Sequence, residues 1–418
     1  MRFARAFYIY TAGSFVAGAV PIFLLPVLTR HLSDADFGLI AAITTLITFA
    51  TPPLIWGTTA LVAVEYGRQP IERFRVYFSS MLRLPLASFA VLLLIALASA
   101  PFAAMELSVP ASWIVTVPVF ALLSLLPQLL LQLLRMRDEP WVFASFEIIN
   151  AFVLVSFSFF LVVTLGIGWE GRVLALAAST LFGSAIAIWW MGRNGYITFE
   201  FDVAYLKDAF KFGAGLVPHD LGNQAVRFAD RLVLIAMVGL SGAGQYAVAA
   251  QVASIMLTVL ASFNRAWTPY LFAQLREGRP GAHEAIVKKS YMVIGCAVIV
   301  FIAFNAAVPS IYRIFIDEKF SVSMNYVLWL TLGYLFMAVY MTYVDYIFYV
   351  KKTRLLSLVT IFNLTCNVAL NYLLIDRYGV IGAAYAFAAT MFLVMLIAFF
   401  LSKRVHPMPW FHWMRKWR

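Results

Sequence analysis

The sequence predicts an all-α polytopic membrane protein with twelve transmembrane helices, arranged as two parallel six-helix repeats around a central cavity. Three observations support this fold class. Of the 418 residues, 63% are hydrophobic and only 12% are charged, whereas a soluble globular chain carries about 25% charged residues. Long apolar runs alternate with short charged loops, and segments of the two halves match each other. This composition excludes a soluble enzyme.

Each predicted span is an apolar run bounded by charged residues, because about 20 apolar residues cross the hydrocarbon core of a bilayer. The first run follows Arg2 and Arg5, is long enough to span and lacks a small-residue cleavage site. We therefore interpret it as a retained helix rather than a cleaved signal peptide. The predicted spans cover residues 7–29, 38–62, 81–100, 113–134, 142–166, 173–191, 213–238, 245–272, 290–309, 326–350, 356–375 and 380–401.

Basic residues predict the orientation, because short loops rich in Lys and Arg stay in the cytoplasm. The N-terminus, every second loop and the tail hold 22 of the 31 Lys and Arg residues, and the alternate loops hold five. We expect both termini in the cytoplasm. Loops beside anionic lipid account for the net charge of +11, so no nucleic-acid partner is indicated. The tail Trp410–Arg418 mixes aromatic and basic residues and is interpreted as an interfacial anchor, with docking of a partner protein as the alternative.

An internal repeat is predicted from two matched pairs of segments. Residues 32–47 match 240–255 at an offset of 208 positions, and residues 168–178 match 379–389 at an offset of 211. Chance similarity between alanine-rich helices is the alternative, but two pairs in the same order favour a repeat. The predicted limits are an N-terminal lobe at 1–192, a cytoplasmic linker at 193–212, a C-terminal lobe at 213–402 and a basic, aromatic tail at 403–418.

Charged residues within the spans are the candidate functional residues, because such residues are costly in hydrocarbon and normally face a cavity or one another. Span 7 places Asp220, Gln224, Arg227 and Arg231 on one helical face, opposite a face of small residues. Arginine suits phosphate oxygens because its planar fork donates two parallel hydrogen bonds and stays charged. This face therefore predicts a cationic groove for an anionic, phosphate-bearing amphiphile.

A second polar face follows on span 8, where Gln251, Thr258, Ser262 and Arg265 align. Arg227 and Arg265 are the preferred substrate contacts. Arg231 has the alternative of pairing with Asp230, and Arg83 has the alternative of extending to the cytoplasmic interface. Milder stripes of Thr residues on span 2 and Asn residues on span 11 have the alternative of joining helices by hydrogen bonds.

Three carboxylates are candidates for coupling to a proton or sodium ion, since a carboxyl group in low-dielectric surroundings can load and unload a proton. They are Asp220, Asp345 and Glu147. For Asp345, flanked by Tyr343 and Tyr346, a hydrogen-bonded structural role is the alternative. His219 follows Pro218, and we expect a helix break there, with a proton relay as the lesser possibility.

Other chemistry is not indicated. The sequence has no phosphate-binding P-loop, and we find no convincing catalytic triad or metal-binding cluster. The two cysteines lie in apolar runs without metal-type spacing. We therefore expect no enzyme activity and no cofactor beyond a coupling H⁺ or Na⁺.

Several stretches resemble a known family. The segment LPVLTRHLSDADFGLIAA at 25–42 is similar to the first interhelical loop of the bacterial polysaccharide-biosynthesis transporters. Second-half signatures of the same family resemble DRLVLIAMVGLSGAGQYAVA at 230–249, AWTPYLF at 266–272 and NVALNYLLIDRYGVIGAAYA at 367–386. These transporters are Wzx-like flippases of lipid-linked oligosaccharides, in the superfamily that also contains multidrug extruders.

The resemblance implies two six-helix lobes in a V around a central cavity, which moves an undecaprenyl-pyrophosphate-linked sugar repeat unit out across the bacterial inner membrane. The expected substrate-binding residues are Arg227, Arg265, Arg231, Arg83, Gln224, Gln251 and Arg30. The expected partners are the lipid-linked oligosaccharide, membrane lipids and, in the pathway, a polysaccharide polymerase and other glycan assembly proteins. An ion-coupled multidrug exporter and a non-transporting scaffold for glycan enzymes are the alternatives.

Overall fold

The structure is a computed structural model that describes residues 2–277, 281–350 and 352–410, which form helices, turns and loops without a strand. The chain divides into two compact units. The first contains Met1–Arg231 and Gly239–Ser241, and the second contains Leu232–Val238 and Gly242–Arg418. The predicted all-α architecture is confirmed for the described residues, as expected where every backbone polar group must be satisfied within its own segment.

The first unit is built from eight helices and the beginning of a ninth. A π-helical segment, Phe159–Thr164, continues the seventh helix. The core of the unit is formed by large apolar side chains such as Leu54, Phe78 and Leu129. The helices are α1 (Arg2–His31), α2 (Asp34–Ile55), α3 (Thr58–Glu65), α4 (Ile71–Met81), α5 (Arg83–Leu107), α6 (Ala111–Met136), α7 (Pro140–Ser158) and α8 (Trp169–Arg193).

Helix α2 has a well-defined beginning and an early end. The Ser33 hydroxyl accepts the Asp36 amide, and the Asp36 carboxylate accepts the Ser33 amide, which is a reciprocal cap at the N-terminus. The helix ends at Trp56 and Gly57, both in the left-handed conformation. The single predicted span 38–62 is therefore two helices, α2 and α3, separated by this turn.

The predicted linker, residues 193–212, is hydrogen-bonded to helix α4. The buried Ser79 hydroxyl accepts the amide of Thr198 at 2.8 Å, and the buried Ser80 hydroxyl accepts the amide of Asp202 at 3.0 Å. Helix then resumes at Val203. Hydrophobic patterning indicated a polar connection here, but these contacts make the segment an ordered part of the first unit.

Helix α9 (Val203–Glu277) contains both predicted spans 7 and 8. Its backbone is broken at Gly239, where φ is 82° and ψ is −176°. A residue without a Cβ takes up this conformation at little cost. The expected break at Pro218 and His219 is wrong, because the helix continues through both residues and the interruption lies about twenty residues later.

The second unit adds four helices and a short 3₁₀ helix, Glu318–Ser323. The helices are α10 (Ala282–Phe315), α11 (Met324–Tyr349), α12 (Thr353–Tyr378) and α13 (Val380–Val405). The segment after α13 returns to the unit, and Trp410 is only 2% exposed. Trp410 is therefore not an interfacial side chain, contrary to the expectation from the sequence. Residues 411–418 lie outside the described residues.

Eleven helical segments among the described residues are long and apolar enough to cross a membrane, against twelve predicted. The difference lies in α9, where one candidate segment, Asp230–Asn264, stands in place of two. The preceding stretch of α9 is helical but carries Asp220 and Arg227 close to Asp230 and Arg231, so it is less apolar than its neighbours. The charges that make this stretch a candidate site also lower its hydropathy.

The internal repeat is visible in backbone conformation. Gly168 precedes α8 with φ 73° and ψ −143°, and its sequence equivalent Gly379 precedes α13 with φ 64° and ψ −144°. Three residues later, Gly171 and Gly382 would each place a Cβ within 3.1 Å of a backbone carbonyl oxygen. Two segments that matched in sequence thus begin their helices in the same way, which supports the repeat.

Candidate functional site

The polar face predicted on span 7 lies in the part of α9 that precedes Gly239. Asp220, Gln224 and Arg231 are half-buried on this continuous helix. The Arg231 backbone amide donates to the Asp230 carboxylate at 2.8 Å. Arg227 occupies a helical position, but its side chain is outside the described set. Its proposed contact with substrate therefore stays a prediction.

The polar face predicted on span 8 lies in the second part of α9. The hydroxyls of Ser254, Thr258 and Ser262 donate to the carbonyl oxygens of Gln251, Ser254 and Thr258 in their own helix, at 2.7 to 3.0 Å. These bonds are within one helix, so they do not join α9 to its neighbours. Each hydroxyl keeps acceptor capacity for a ligand. The side chain of Arg265 on this helix is also outside the described set.

The Thr stripe predicted on span 2 has the same arrangement. Thr44, Thr48 and Thr51 donate to the carbonyls of Ile40, Thr44 and Ile47, each at 2.7 Å. The alternative considered for this stripe was hydrogen bonding between helices. The described bonds instead satisfy the hydroxyls locally, so these side chains present a weakly polar surface.

Two further candidate arginines lie elsewhere in the first unit. The Arg83 guanidinium is exposed at the start of α5 and stacks over the ring of Phe201, with its central carbon 3.7 Å from the ring centroid. This cation–π contact holds Arg83 against the linker. Arg30 is exposed near the end of α1. The described contacts therefore give Arg83 a partner within the protein.

Glu147 joins helix α7 to helix α1. Its carboxylate accepts a hydrogen bond from the Ser14 hydroxyl at 2.6 Å, and it is half-buried. The helices approach closely at this level, since a Cβ on Gly13 would lie 2.7 Å from the Ala144 Cβ. Glu147 thus lies between packed helices and accepts a hydrogen bond from a neutral hydroxyl.

Asp345 is the most buried of the three candidate carboxylates, with 5% of its surface exposed. The Thr268 hydroxyl of α9 donates to the Asp345 carboxylate at 2.8 Å. The same hydroxyl also lies 3.1 Å from the Asn264 carbonyl oxygen, so it can alternate between two acceptors. The partner of Asp345 comes from a distant helix, whereas the sequence suggested its neighbours Tyr343 and Tyr346.

The Asn stripe of α12 forms a buried polar cluster. The Asn371 amide donates to the backbone and side-chain oxygens of Asn367 at 2.8 and 3.0 Å. Within the part of the chain that the structure describes, the side-chain oxygens of Asn363, Asn371 and Thr390 are buried without a hydrogen-bond partner. Neutral oxygens of this kind are ligands for hard cations. The described residues contain no group of three or more His, Cys, Asp or Glu side chains suited to a metal ion.

Sequence reasoning missed Arg172, which is one of the five basic residues counted in the alternate loops because it precedes the predicted span 173–191. It lies in the first turn of α8, and its Nη1 donates to the buried Ser158 hydroxyl at 2.6 Å. Ser158 is the last residue of α7, directly before the π-helical segment. The only sequence signal is the position of Arg172 next to the predicted span 173–191.

Residues 3–275 match a family described as polysaccharide biosynthesis protein. This match covers well over half of the chain and includes helices α1 to α8 and most of α9. The chain belongs to the polysaccharide biosynthesis protein family. The resemblance inferred from sequence motifs is therefore confirmed at the level of the family.

This polysaccharide biosynthesis protein is similar in sequence to one membrane protein and in structure to two others. It is 26% identical over 366 residues to an uncharacterized membrane protein of Haemophilus influenzae, with 84% of each chain covered. A multidrug resistance MATE family transporter of the MOP superfamily, solved facing inward, aligns with a TM-score of 0.74 at 16% identity over 94% of both chains. Lipid II flippase MurJ aligns with a TM-score of 0.75 at 13% identity over 95% of this chain and 87% of that chain. The chain therefore shares its fold with these two membrane proteins.

Proposed function

We propose that the protein moves an undecaprenyl-pyrophosphate-linked oligosaccharide from the cytoplasmic to the periplasmic side of the bacterial inner membrane, for surface polysaccharide biosynthesis. The observation that carries the proposal is the concentration of arginines on helix α9 in a chain with few charges. Arg227 and Arg231 precede the break of α9 at Gly239, and Arg265 follows it. Membership of the polysaccharide biosynthesis family and a fold shared with a lipid II flippase support the same substrate class.

The chemistry of the substrate fits these residues. A pyrophosphate offers several anionic oxygens, which guanidinium groups bind in a bidentate manner. Gln224 and Gln251, with the serine and threonine hydroxyls of α9, supply neutral donors and acceptors for sugar hydroxyls. The isoprenoid tail stays in the bilayer, so only the headgroup has to cross. Alternating access between two lobes then carries the headgroup from one side to the other.

Transport is coupled to a proton or a sodium ion in this proposal. Asp345, Glu147 and Asp220 are carboxyl groups on the helices of a transporter, and Glu147 and Asp345 each accept a hydrogen bond from a neutral hydroxyl. We place both termini in the cytoplasm and expect a polysaccharide polymerase and other glycan assembly proteins as functional partners.

A multidrug exporter is the second candidate, because the MATE transporter shares the fold over 94% of both chains. In that case the carboxylates rather than the arginines would contact a cationic substrate. Loss of the gene would then raise sensitivity to cationic dyes and leave surface glycans intact.

The test compares single variants expressed in a strain that lacks the chromosomal gene. Arg227→Ala and Arg265→Ala are expected to abolish surface polysaccharide at unchanged protein abundance, whereas Arg227→Lys retains part of the activity. Arg68→Ala is the matched control, because Arg68 is largely exposed and pairs with Glu65. Normal polysaccharide in both alanine variants would refute the proposed site.

A further inference from the structure

The residues after α13 form a compact clasp, which we define as His406–Trp410. Trp410 is the centre of an aromatic cluster at this end of the second unit. Its ring lies 5.3 Å from Tyr343, 5.9 Å from Tyr346 and 6.1 Å from Phe399, between ring centroids. The Tyr291 hydroxyl donates to the Trp410 carbonyl oxygen. The clasp thereby ties α10, α11 and α13 together.

His406 is the other anchor of the clasp. Its ring lies 5.4 Å from His283 at the start of α10, and 6.0 Å from both Tyr346 and Tyr349 of α11. Burial, and then the charge of His283, lower the pKa of His406 from its ordinary value of 6.5. His406 is therefore a neutral proton acceptor near pH 7. Lys403 and Arg404 precede it on α13.

Tyr346 connects this clasp to Asp345. It follows Asp345 in helix α11, and its ring contacts both Trp410 and His406. The Tyr346 side chain is completely buried. Tyr346 is thus next to Asp345 in the chain and in contact with the ring of His406, which in turn contacts His283.

The same cluster contains buried donors that require acceptors. Among the described residues, the indole N–H groups of Trp267 and Trp410 and the Tyr346 hydroxyl have no hydrogen-bond partner. All three side chains belong to one packed cluster. Buried polar groups are paired in folded proteins, and where protein groups are out of reach the partner is ordered water. Water that pairs these donors would lie in the cluster that contacts His406 through the Tyr346 ring.

We infer that Asp345 exchanges its proton with the histidine pair His283 and His406 through this cluster, so that the clasp forms the proton route between Asp345 and the cytoplasm. The inference rests on the proposed proton coupling and topology, and it adds the path and the residues that carry it. Trp267, Tyr346 and Trp410 act as positioning residues, because they orient this water without themselves changing protonation state.

During release, the O–H bond of the Asp345 carboxyl group breaks, a proton moves along the hydrogen-bonded water, and an N–H bond forms on the neutral imidazole of His406. His406 or His283 then gives a proton to bulk water. The remaining carboxylate accepts the Thr268 hydroxyl. Uptake follows the same steps in reverse, and no electrons are transferred.

The test measures the rate at which Asp345 changes protonation after a pH jump, in the full-length protein in detergent. The carboxyl absorption of Asp345 is followed by infrared spectroscopy and identified by its loss in Asp345→Asn. The variants are His406→Gln and the double variant with His283→Gln. His31→Gln is the control, because His31 is exposed at the end of α1. Thermal unfolding of each variant verifies that it is folded.

The double variant is expected to slow proton exchange at Asp345 by about 100-fold, the lower end of the effect of a positioned proton-transfer group. Added imidazole is expected to restore the rate, which a merely structural role would not produce. Trp410→Phe keeps the ring and removes the N–H group, so it slows exchange to a lesser degree. An unchanged rate in the double variant, or the absence of any titrating Asp345 band, would overturn the inference.

The two proposals fail in distinguishable ways. If the double histidine variant exchanges protons at the native rate while Arg227→Ala still abolishes surface polysaccharide, the route is wrong and the flippase function stands. If proton exchange slows as expected but surface polysaccharide is normal in the arginine variants, the route stands and the substrate site is wrong.

Discussion

Substitution of Gly38 by alanine is expected to destabilise the protein, because helix α2 lies directly against the backbone of α9 at its break. A Cβ on Gly38 would lie 2.0 Å from the carbonyl oxygen and 2.9 Å from the Cα of Leu240, the residue after Gly239. Ordinary contact begins at 3.4 Å. The obstacle is backbone, so no change of rotamer relieves the overlap. Displacing α2 or the break by about 1.4 Å is required, and overpacking of this kind costs about 1–3 kcal/mol.

Gly18 provides a matched control in the neighbouring helix α1. Among the described residues, no atom lies within 4 Å of a Cβ placed on Gly18. Gly18→Ala therefore gains the helix propensity of alanine, about 0.5–1 kcal/mol, without a steric cost. The two alanine variants are expected to differ in the free energy of unfolding by at least about 1.5 kcal/mol, with Gly38→Ala the less stable.

The assay is thermal unfolding of full-length protein in one detergent, followed by tryptophan fluorescence, with denaturant titration as the second measurement. The midpoint for Gly38→Ala should lie below that of the native protein, and the midpoint for Gly18→Ala should equal or exceed it. Equal midpoints for the two variants would refute the close approach of α2 to Leu240. A lower midpoint for Gly18→Ala alone would contradict both predictions, because it would mean that alanine is tolerated at position 38 and not at position 18.

Other single contacts have measurable consequences. Ser79→Ala removes the acceptor of the Thr198 amide, at a cost of about 1–3 kcal/mol; amide hydrogen exchange in the linker should accelerate, and unchanged exchange would contradict the docking. Ser158→Ala should lower the free energy of unfolding more in the native protein than in the Arg172→Met variant. The expected coupling energy in a double-mutant cycle is about 1 kcal/mol, and additive effects would exclude the contact. The pKa of His406 is lowered by burial and by the charge of His283. As the pH falls below about 6.5, the His406 side chain is therefore protonated more readily in the unfolded chain than in the folded protein, and the free energy of unfolding decreases. His406→Gln should flatten this pH dependence, and an unaltered slope would assign it to another group.

Hydropathy and charge predict most helices of this protein because a membrane segment must satisfy its backbone internally. Candidate membrane helices such as Ala111–Met136 and Val380–Val405 agree closely with the predicted spans 113–134 and 380–401. The repeat was also accessible from sequence. Its matched glycines Gly168 and Gly379 have nearly identical dihedral angles, since a shared sequence at a helix start encodes a shared backbone conformation.

Features that depend on packing between distant segments were not predictable. Pro218 is a strong local signal for a break, yet the helix continues and the interruption is at Gly239. Proline within a helix is tolerated where its lost hydrogen bond is compensated, whereas only the fold determines where a positive φ is needed. The burial of Trp410 has the same origin. Its aromatic and basic surroundings in sequence are typical of an interface, but the ring packs in a cluster of side chains from α9, α10, α11 and α13.

Some residues of the candidate site were predictable from sequence, but their contacts with distant residues were not. Asp345 was selected because it is a charge within an apolar span, and this criterion needs only the sequence. Its partner Thr268 is separated by 77 positions, so no local pattern could connect them. Arg172 shows the opposite error, because its position at the edge of a span indicated a loop, while the structure places it in α8 against Ser158.

The central claim is that the protein moves a lipid-linked oligosaccharide and that arginines of α9 bind its pyrophosphate. The most direct measurement is the leaflet distribution of this lipid in inner membranes from a strain without the gene, from the complemented strain and from a strain expressing Arg227→Ala. We predict that the lipid is confined to the cytoplasmic leaflet in the first and third strains and reaches the periplasmic leaflet in the complemented strain. Equal exposure of the oligosaccharide on the periplasmic side in all three strains would contradict the claim.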